Sequence, residues 1–222
     1  MLSKLSPYQN SSITGELIMS EKGSNQPENK YSTEDYLSMQ RRNSTKTEFN
    51  EGQIMGKATS NRWHNLISTN AAIAIGGRLH GHKCDIYANA MCVKIKANRY
   101  CYPDVIIVNG EPKFTDQYQD VLLNPTIIAE IFSGKTNTTD KNEKLESYLA
   151  MESIRECLLI KEDEMRVEHY AKQNPKQWIY RIYNERDDVI SLESVNCKLS
   201  LQEIYAQLKF KNAEISSTTA AS

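Results

Sequence analysis

The sequence predicts a single α/β domain in which a mixed central sheet is flanked by helices. Two short and mostly apolar runs, residues 105–108 and 127–132, are typical of central strands that are covered on both faces. Helical spacing of apolar residues, introduced by capping residues, recurs before, between and after these runs. This order of helices and strands fits a mixed sheet with helices packed against it.

The chain has 222 residues, and its two ends differ in composition from its middle. Residues 1–30 are rich in Ser, Asn, Glu, Lys and Gln and have no period, and residues 211–222 end in a run of Ser, Thr and Ala. Both segments are predicted to be disordered tails. Residues 31–210 contain no visible linker or repeat and are predicted to form one domain.

Overall charge and cysteine usage narrow the class of protein. The formal net charge is −1, so contact with a nucleic acid would need a local basic patch. No apolar run reaches membrane-spanning length, and no signal peptide is visible at the N-terminus. Five cysteines without a C-x-x-C pair indicate reduced thiols. We therefore expect a cytoplasmic protein that makes no membrane contact.

The first elements are predicted from capping residues and periodicity. Ser32, with Asp35 three residues later, is expected to open a short helix. Residues 47–55 alternate around an Asn-Glu-Gly turn and indicate a hairpin. Ser60 is expected to cap a long helix. Apolar and polar residues alternate over residues 85–95, which is typical of a β-strand. The apolar residues of the long helix follow helical spacing: Trp63, Leu66, Ile67, Ala71 and Ile75.

The elements after the second apolar run continue this pattern. Asp140, with Glu143 three residues later, predicts the start of another helix. Residues 157–160 indicate a buried strand, and residues 167–170 and 178–183 indicate an antiparallel pair. Residues 201–208 carry the helical spacing of a closing helix.

Two carboxylates in the apolar runs are the main candidates for chemistry. Glu130 lies inside the run at residues 127–132, and Asp104 directly precedes the run at residues 105–108. Burying an ionised carboxylate costs several kcal/mol unless a positive partner is present. A shared divalent metal ion is one such partner. Pairing of each acid with an arginine or a lysine for structural reasons is the alternative.

A lysine on the following helix would complete a hydrolytic centre. A magnesium ion bound by two carboxylates and a backbone carbonyl would acidify a bound water and stabilise charge on a phosphoryl oxygen. A nearby lysine could orient that water or stabilise the developing negative charge. Lys141 and Lys144 both lie on the side of this helix that carries its apolar residues, so spacing alone leaves both open.

Three segments follow one another in a characteristic order: residues 102–108 (YPDVIIV), 125–133 (PTIIAEIFS) and 140–148 (DKNEKLESY). Taken together, they resemble the Uma-two family of the PD-(D/E)XK, restriction-endonuclease-like superfamily. Weaker similarity at residues 49–54, 64–65 and 167–170 extends the resemblance over about residues 31–210. The resemblance implies a restriction-endonuclease-like fold.

The resemblance also implies an activity, which is Mg²⁺-dependent endonucleolytic hydrolysis of DNA, with Mn²⁺ as a substitute metal. Asp104 and Glu130 then correspond to the metal-binding acids, and the carbonyl of Ile131 is an additional candidate ligand. The lysine of the superfamily motif would fall at Phe132, and the family pattern places this role on Lys144 instead. These three residues, Asp104, Glu130 and Lys144, form the predicted catalytic set.

Two further residues and two other functions are kept as alternatives. Glu51 would be a third acid near the metal or a solvated turn residue, and His64 would hold a phosphate or a water or be a half-buried helix residue. The scaffold could instead be a catalytically inactive binding or assembly module, or a metal-dependent hydrolase of another phosphoester. Cutting both DNA strands requires two centres, which favours a homodimer.

Overall fold

The computed structural model describes residues 30–57, 60–134, 136 and 138–210. Apart from residue 30, the predicted tails lie outside this part of the chain. Its first elements are α1 (Thr33–Arg42), β1 (Thr47–Asn50), β2 (Gln53–Gly56), α2 (Arg62–Leu79), β3 (Cys84–Ala88), β4 (Cys92–Lys96), β5 (Arg99–Cys101) and β6 (Val105–Asn109). They are followed by β7 (Val121–Leu122), β8 (Ile127–Phe132), α3 (Thr138–Leu149), β9 (Glu156–Lys161), β10 (Val167–Asn174), β11 (Gln177–Tyr183), β12 (Val189–Leu192), β13 (Cys197–Ser200) and α4 (Leu201–Ile204).

A six-stranded mixed sheet forms the centre of the domain, with the strand order β11-β10-β9-β8-β6-β3. Strands β8 and β9 are parallel, whereas every other neighbouring pair in this sheet is antiparallel. Helix α3 makes the crossover between β8 and β9, as a parallel pair requires. This architecture confirms the predicted α/β fold class.

A smaller sheet of five strands, in the order β2-β1-β5-β4-β7, lies beside helix α3. Arg99 of β5 donates a hydrogen bond of 2.6 Å to the hydroxyl of Ser147 in α3, which ties the two parts together. The alternating segment at residues 85–95 is divided between β3 and β4, which belong to different sheets. The chain reverses between them at Asn89, whose φ of +60° is one that asparagine adopts more readily than most residues.

Strand β8 is buried on both faces, which explains its apolar composition. Ile127, Ala129 and Ile131 pack in one core cluster with residues of α2. Ile128 packs in a second cluster with residues of α3. Because side chains alternate along a strand, Glu130 points to the same face as Ile128, towards α3. The central sheet thus presents an acid to the face that α3 covers.

Two predicted helix starts are shifted in the structure. Helix α2 is capped by Asn61 and not by Ser60, because the Asn61 side chain accepts hydrogen bonds from the backbone N–H groups of residues 63 and 64 at 2.7 and 3.0 Å. Helix α3 begins at Thr138, so Asp140 lies in its first turn and does not cap it. Among the described residues, no helix is long and apolar enough to cross a membrane.

Candidate active site

A cleft of about 460 Å³ opens where the β1–β2 hairpin, the first turn of α2 and the first turns of α3 meet the ends of β6 and β8. It contains both predicted acids and the predicted lysine. The ionisable residues that matter for its chemistry are Glu48, Lys57, His64, Asp104, Glu130 and Lys144. They come from six different segments, so only the folded chain assembles them.

The two predicted acids face one another across neighbouring strands. The antiparallel register of β6 and β8 pairs Val105 with Ala129, and one further step of this register places Asp104 opposite Glu130. Directly opposed residues share a face of the sheet and have Cβ atoms about 5 Å apart. The backbone N–H of Ile131 donates a hydrogen bond of 2.9 Å to Oδ2 of Asp104, which fixes this arrangement.

Asp104 is almost completely buried, with 1% of its side chain exposed. Lys57 Nζ lies 3.1 Å from its Oδ1, and His64 Nε2 lies 3.1 Å from its Oδ2. Burial acts to raise the pKa of Asp104, but the His64 hydrogen bond and the charge of Lys57 outweigh it. Together with the Ile131 N–H they hold the pKa at about 2. Asp104 is therefore a carboxylate at neutral pH.

Glu130 has a different environment, although it faces Asp104. The Tyr148 hydroxyl donates a hydrogen bond of 2.5 Å to Oε1 of Glu130, and Lys144 Nζ lies 3.3 Å from the same oxygen. Burial raises the pKa of Glu130, and the negative charges of Asp104 and Glu48 add to this effect. Lys144 and Tyr148 only partly offset it, so the pKa is about 7.

Lys144 bridges two acids, one of which the sequence did not indicate. Its ammonium donates a hydrogen bond of 2.8 Å to Oε1 of Glu48 on β1. Burial lowers the pKa of Lys144, but the charges of Glu130 and Glu48 outweigh it and raise the pKa above its ordinary value. Glu48 precedes the buried Phe49 in an alternating strand, which indicates only that the two side chains point to opposite faces.

The structure also separates the two candidate lysines of α3. Lys141 Nζ lies 3.2 Å from Oε2 of Glu168 on β10 and 4.0 Å from the centroid of the Phe132 ring. Lys144, one turn further along, reaches Glu130. The geometry therefore brings Lys144 and not Lys141 to the paired acids.

The weaker predicted residues divide into one that reaches the cleft and one that does not. His64 contacts Asp104 through Nε2, and its buried Nδ1 has no hydrogen-bond partner among the described residues. Glu51 is exposed in the tight turn between β1 and β2, with a φ of +49°, and lines a separate pocket beside that turn. Of the two alternatives for Glu51, the structure favours the solvated turn residue, because the turn directs it away from the cleft, and Glu48 is the acid that β1 supplies.

The donor set of the cleft fits a magnesium ion with a partly aqueous shell. Among the residues that the structure describes, no group of three or more His, Cys, Asp or Glu side chains is arranged to hold a metal ion. Asp104 and Glu130 supply two carboxylates. Because a strand residue points its N–H and C=O to the same side, the Ile131 carbonyl is directed towards Asp104 as well. Mg²⁺ commonly binds to one or two carboxylates and keeps several waters.

The site therefore combines a mixed sheet, two acids that oppose one another at neighbouring strands, and a lysine on the helix that follows the second of these strands. Residues 33–202 match the model of the Uma2 family, described as "Putative restriction endonuclease". The chain belongs to this family, which confirms the resemblance found in the sequence.

Three individual proteins illustrate the relationship. Two are uncharacterized proteins of Synechocystis sp., sll1609 and slr1290. The first is 34% identical over 65% of this chain and 82% of its own length. The second is 25% identical over 82% of this chain and 94% of its own length. A crystal structure of a "putative nuclease belonging to DUF820" from Anabaena variabilis shares the fold, with a TM-score of 0.61, 16% identity, and coverage of 78% of this chain and 96% of that one.

Proposed function

We propose that this protein is a Mg²⁺-dependent endonuclease that hydrolyses phosphodiester bonds of DNA. The observation that carries this proposal is the opposition of Asp104 and Glu130 across β6 and β8, with Lys144 in contact with Glu130. Membership of a family described as "Putative restriction endonuclease" supports the choice of a nucleic-acid substrate. Mn²⁺ would replace Mg²⁺ because both prefer oxygen ligands.

The residues of the cleft have separable roles in this reaction. Asp104, Glu130 and the Ile131 carbonyl would hold the metal ion, which when bound supplies a water of lowered pKa and a positive charge at the phosphate. Because its pKa is raised, Lys144 stays an ammonium and cannot remove a proton. It donates hydrogen bonds and can hold the attacking oxygen or a phosphoryl oxygen. His64 keeps Asp104 ionised and oriented.

The test is cleavage of supercoiled plasmid by the full chain with Mg²⁺, with Mn²⁺ and with a chelator. We expect metal-dependent nicking or linearisation that Asp104→Asn abolishes, since the amide keeps the shape of the side chain without its charge. Asp85→Asn, on the exposed side of the edge strand β3, is the matched control and should cleave as wild type does. Cleavage that persists in Asp104→Asn, or no cleavage by wild type, would overturn the proposal.

One structural observation favours a catalytically inactive module as the second candidate. Each acid already has its own ammonium, since Lys57 contacts Asp104 and Lys144 contacts Glu130. A buried ion pair of this kind can persist for structural reasons alone. Calorimetric titration with Mg²⁺ and Mn²⁺ separates the candidates, because an inactive scaffold would ignore both ions. A mononucleotide substrate assayed in parallel tests the third alternative, hydrolysis of a small phosphoester.

Two further expectations accompany this proposal: the oligomeric state of the protein and its cellular compartment. Cutting both strands of a duplex needs two centres, so we propose that the protein acts on DNA as a homodimer. The five cysteines are all free thiols in the structure, which suits the reducing cytoplasm that the sequence indicates.

A further inference from the structure

We propose that Lys57 is an internal competitor of the metal ion, and that its ammonium must leave Asp104 before a divalent cation can bind there. This inference rests on the proposed function, because the cation is the one that the nuclease would use. Lys57 follows β2 and lines the cleft, and 20% of its side chain is exposed. Neither the periodicity of the sequence nor the superfamily motif indicates a role for it.

The hydrogen bonds of Asp104 leave one of its oxygens for a metal. Oδ2 accepts from the Ile131 N–H and contacts Nε2 of His64, which together use its two lone pairs. Oδ1 accepts from Lys57 Nζ at 3.1 Å, and no other donor to it occurs among the described residues. A divalent cation at Asp104 would therefore coordinate Oδ1, the atom that Lys57 contacts.

Because of charge repulsion, the Lys57 ammonium and a divalent cation compete for Oδ1 of Asp104. An ammonium and a divalent cation that contact the same oxygen would lie within a few ångströms of each other in a cleft with little screening. The ammonium must then move away, and the metal affinity is reduced by the free energy of its contact with Asp104. Lys57 is thus a positioning residue that holds Asp104 in the metal-free protein.

Lys57 and Lys144 differ in the hydrogen-bond partners that remain to them after a metal ion displaces their ammonium groups. Lys144 retains Glu48 at 2.8 Å if it loses contact with Glu130. Within the described part of the chain, Lys57 retains the carbonyl of Tyr102, at 2.8 Å, because its other hydrogen bond there is the one to Asp104. Displacement of Lys57 therefore separates an ion pair without another carboxylate contact among these residues, and we expect Lys57 to oppose metal binding more strongly than Lys144.

The experiment measures Mn²⁺ binding to the metal-free full chain by isothermal titration calorimetry. We expect Lys57→Met to bind Mn²⁺ at least about ten-fold more tightly than wild type, because a positive charge no longer occupies Oδ1. Lys57→Gln is the second variant. It removes the charge and keeps an N–H donor on a side chain one atom shorter, so it guards against misfolding of the methionine variant.

Lys46→Met is the matched control for the general loss of a positive charge. Lys46 Nζ donates to the carbonyl of Ala90 at 3.1 Å and makes no carboxylate contact among the described residues. The inference predicts a much smaller change in affinity for Lys46→Met than for either Lys57 variant. Equal affinities of the Lys57 variants and wild type, or of the Lys57 variants and Lys46→Met, would overturn it.

A second readout distinguishes competition from a purely structural ion pair. In chelator, Lys57→Met should unfold at lower urea concentration than wild type, because Asp104 loses a partner. Added Mn²⁺ should raise its stability more than that of wild type, since tighter binding stabilises the folded state more. Destabilisation without this larger metal effect would overturn the inference.

Plasmid cleavage by the same preparations separates the two proposals. Asp104-dependent cleavage combined with unchanged Mn²⁺ affinity in the Lys57 variants would overturn the inference and leave the nuclease proposal standing. Tighter Mn²⁺ binding without any Asp104-dependent cleavage would support the inference and overturn the nuclease proposal. Absence of Mn²⁺ binding in every variant would overturn both.

Discussion

The ammonium of Lys144 lies 3.3 Å from Oε1 of Glu130, across the gap between helix α3 and strand β8. Helix α3 connects two parallel strands, so its early turns run back over the carboxyl end of β8. A lysine there reaches the acid from above the sheet. The centre thereby obtains a positive charge that the strand position at Phe132 cannot supply, and Glu48 holds the same lysine from the other side.

The first prediction concerns this lysine. Lys144→Ala should lower the rate constant of DNA cleavage by roughly 10²–10³-fold, because it removes a donor directed at the developing negative charge. Lys141→Ala should change the rate only a few-fold, since Lys141 pairs with Glu168 at the edge of the cleft. The measurement is single-turnover cleavage with excess enzyme. A larger loss for Lys141→Ala than for Lys144→Ala would reverse the assignment.

The second prediction compares two glutamates of one hairpin. Glu48→Gln should slow cleavage about ten-fold, because Lys144 loses an ionic partner and is drawn fully onto Glu130, the proposed metal ligand. Glu51→Gln removes the same charge three residues away, in an exposed turn, and should leave the rate unchanged. Steady-state cleavage rates at saturating Mg²⁺ test both variants. A strong effect of Glu51→Gln would mean that the hairpin is placed differently against the cleft.

The sequence could predict those site residues whose role leaves a local signal in the sequence, and not those whose role depends on tertiary packing. Asp104 and Glu130 stand out because a carboxylate beside or within an apolar run conflicts with the cost of desolvation, a local signal. Glu48 and Lys57 carry no such signal. They are polar residues in or beside short, partly exposed strands, and their roles depend on the packing of the β1–β2 hairpin against β8 and α3.

The secondary-structure predictions also succeeded where a local signal decides the structure and were displaced where tertiary packing decides it. Strand β8 was predicted correctly because burial on both faces demands an apolar sequence. The start of α2 was displaced by one residue and that of α3 by three, because several neighbouring polar residues can cap a helix. For Glu51 the sequence left a site acid and a solvated turn residue open, and the structure favours the turn residue, since Glu48, three positions earlier in the strand, faces the cleft.

The third prediction is a pH dependence of stability in the metal-free protein. The pKa of Glu130 is raised from 4.5 to about 7, so the folded state holds this proton more tightly than the unfolded state. The stability that this proton contributes is present below about pH 4.5 and is lost as the pH rises through 7. Glu130→Gln lacks this loss. Relative to the variant, wild type should lose on the order of 3 kcal/mol between pH 4.5 and 8.

Urea unfolding in chelator at several pH values measures this difference. Glu146→Gln, on the exposed side of the same helix that covers Glu130, is the matched control and should track wild type at every pH. Parallel pH profiles for wild type and Glu130→Gln would show that Glu130 is ionised throughout this range and would contradict the prediction.

The fourth prediction isolates the hydroxyl of Tyr148, which donates a 2.5 Å hydrogen bond to Glu130. A hydrogen bond to the ionised form of an acid favours ionisation, so Tyr148→Phe should raise the pKa of Glu130 by about one unit. ¹³C NMR titration of the Glu130 carboxyl carbon in metal-free protein measures the shift.

The control variant is Tyr205→Phe, which removes a hydroxyl that donates to the Lys161 carbonyl at 2.9 Å, outside the cleft. The control should lower stability by about 1 kcal/mol without moving the Glu130 midpoint. An unmoved midpoint in Tyr148→Phe would show that Lys144 alone offsets the burial of Glu130, and that the tyrosine contributes only to packing.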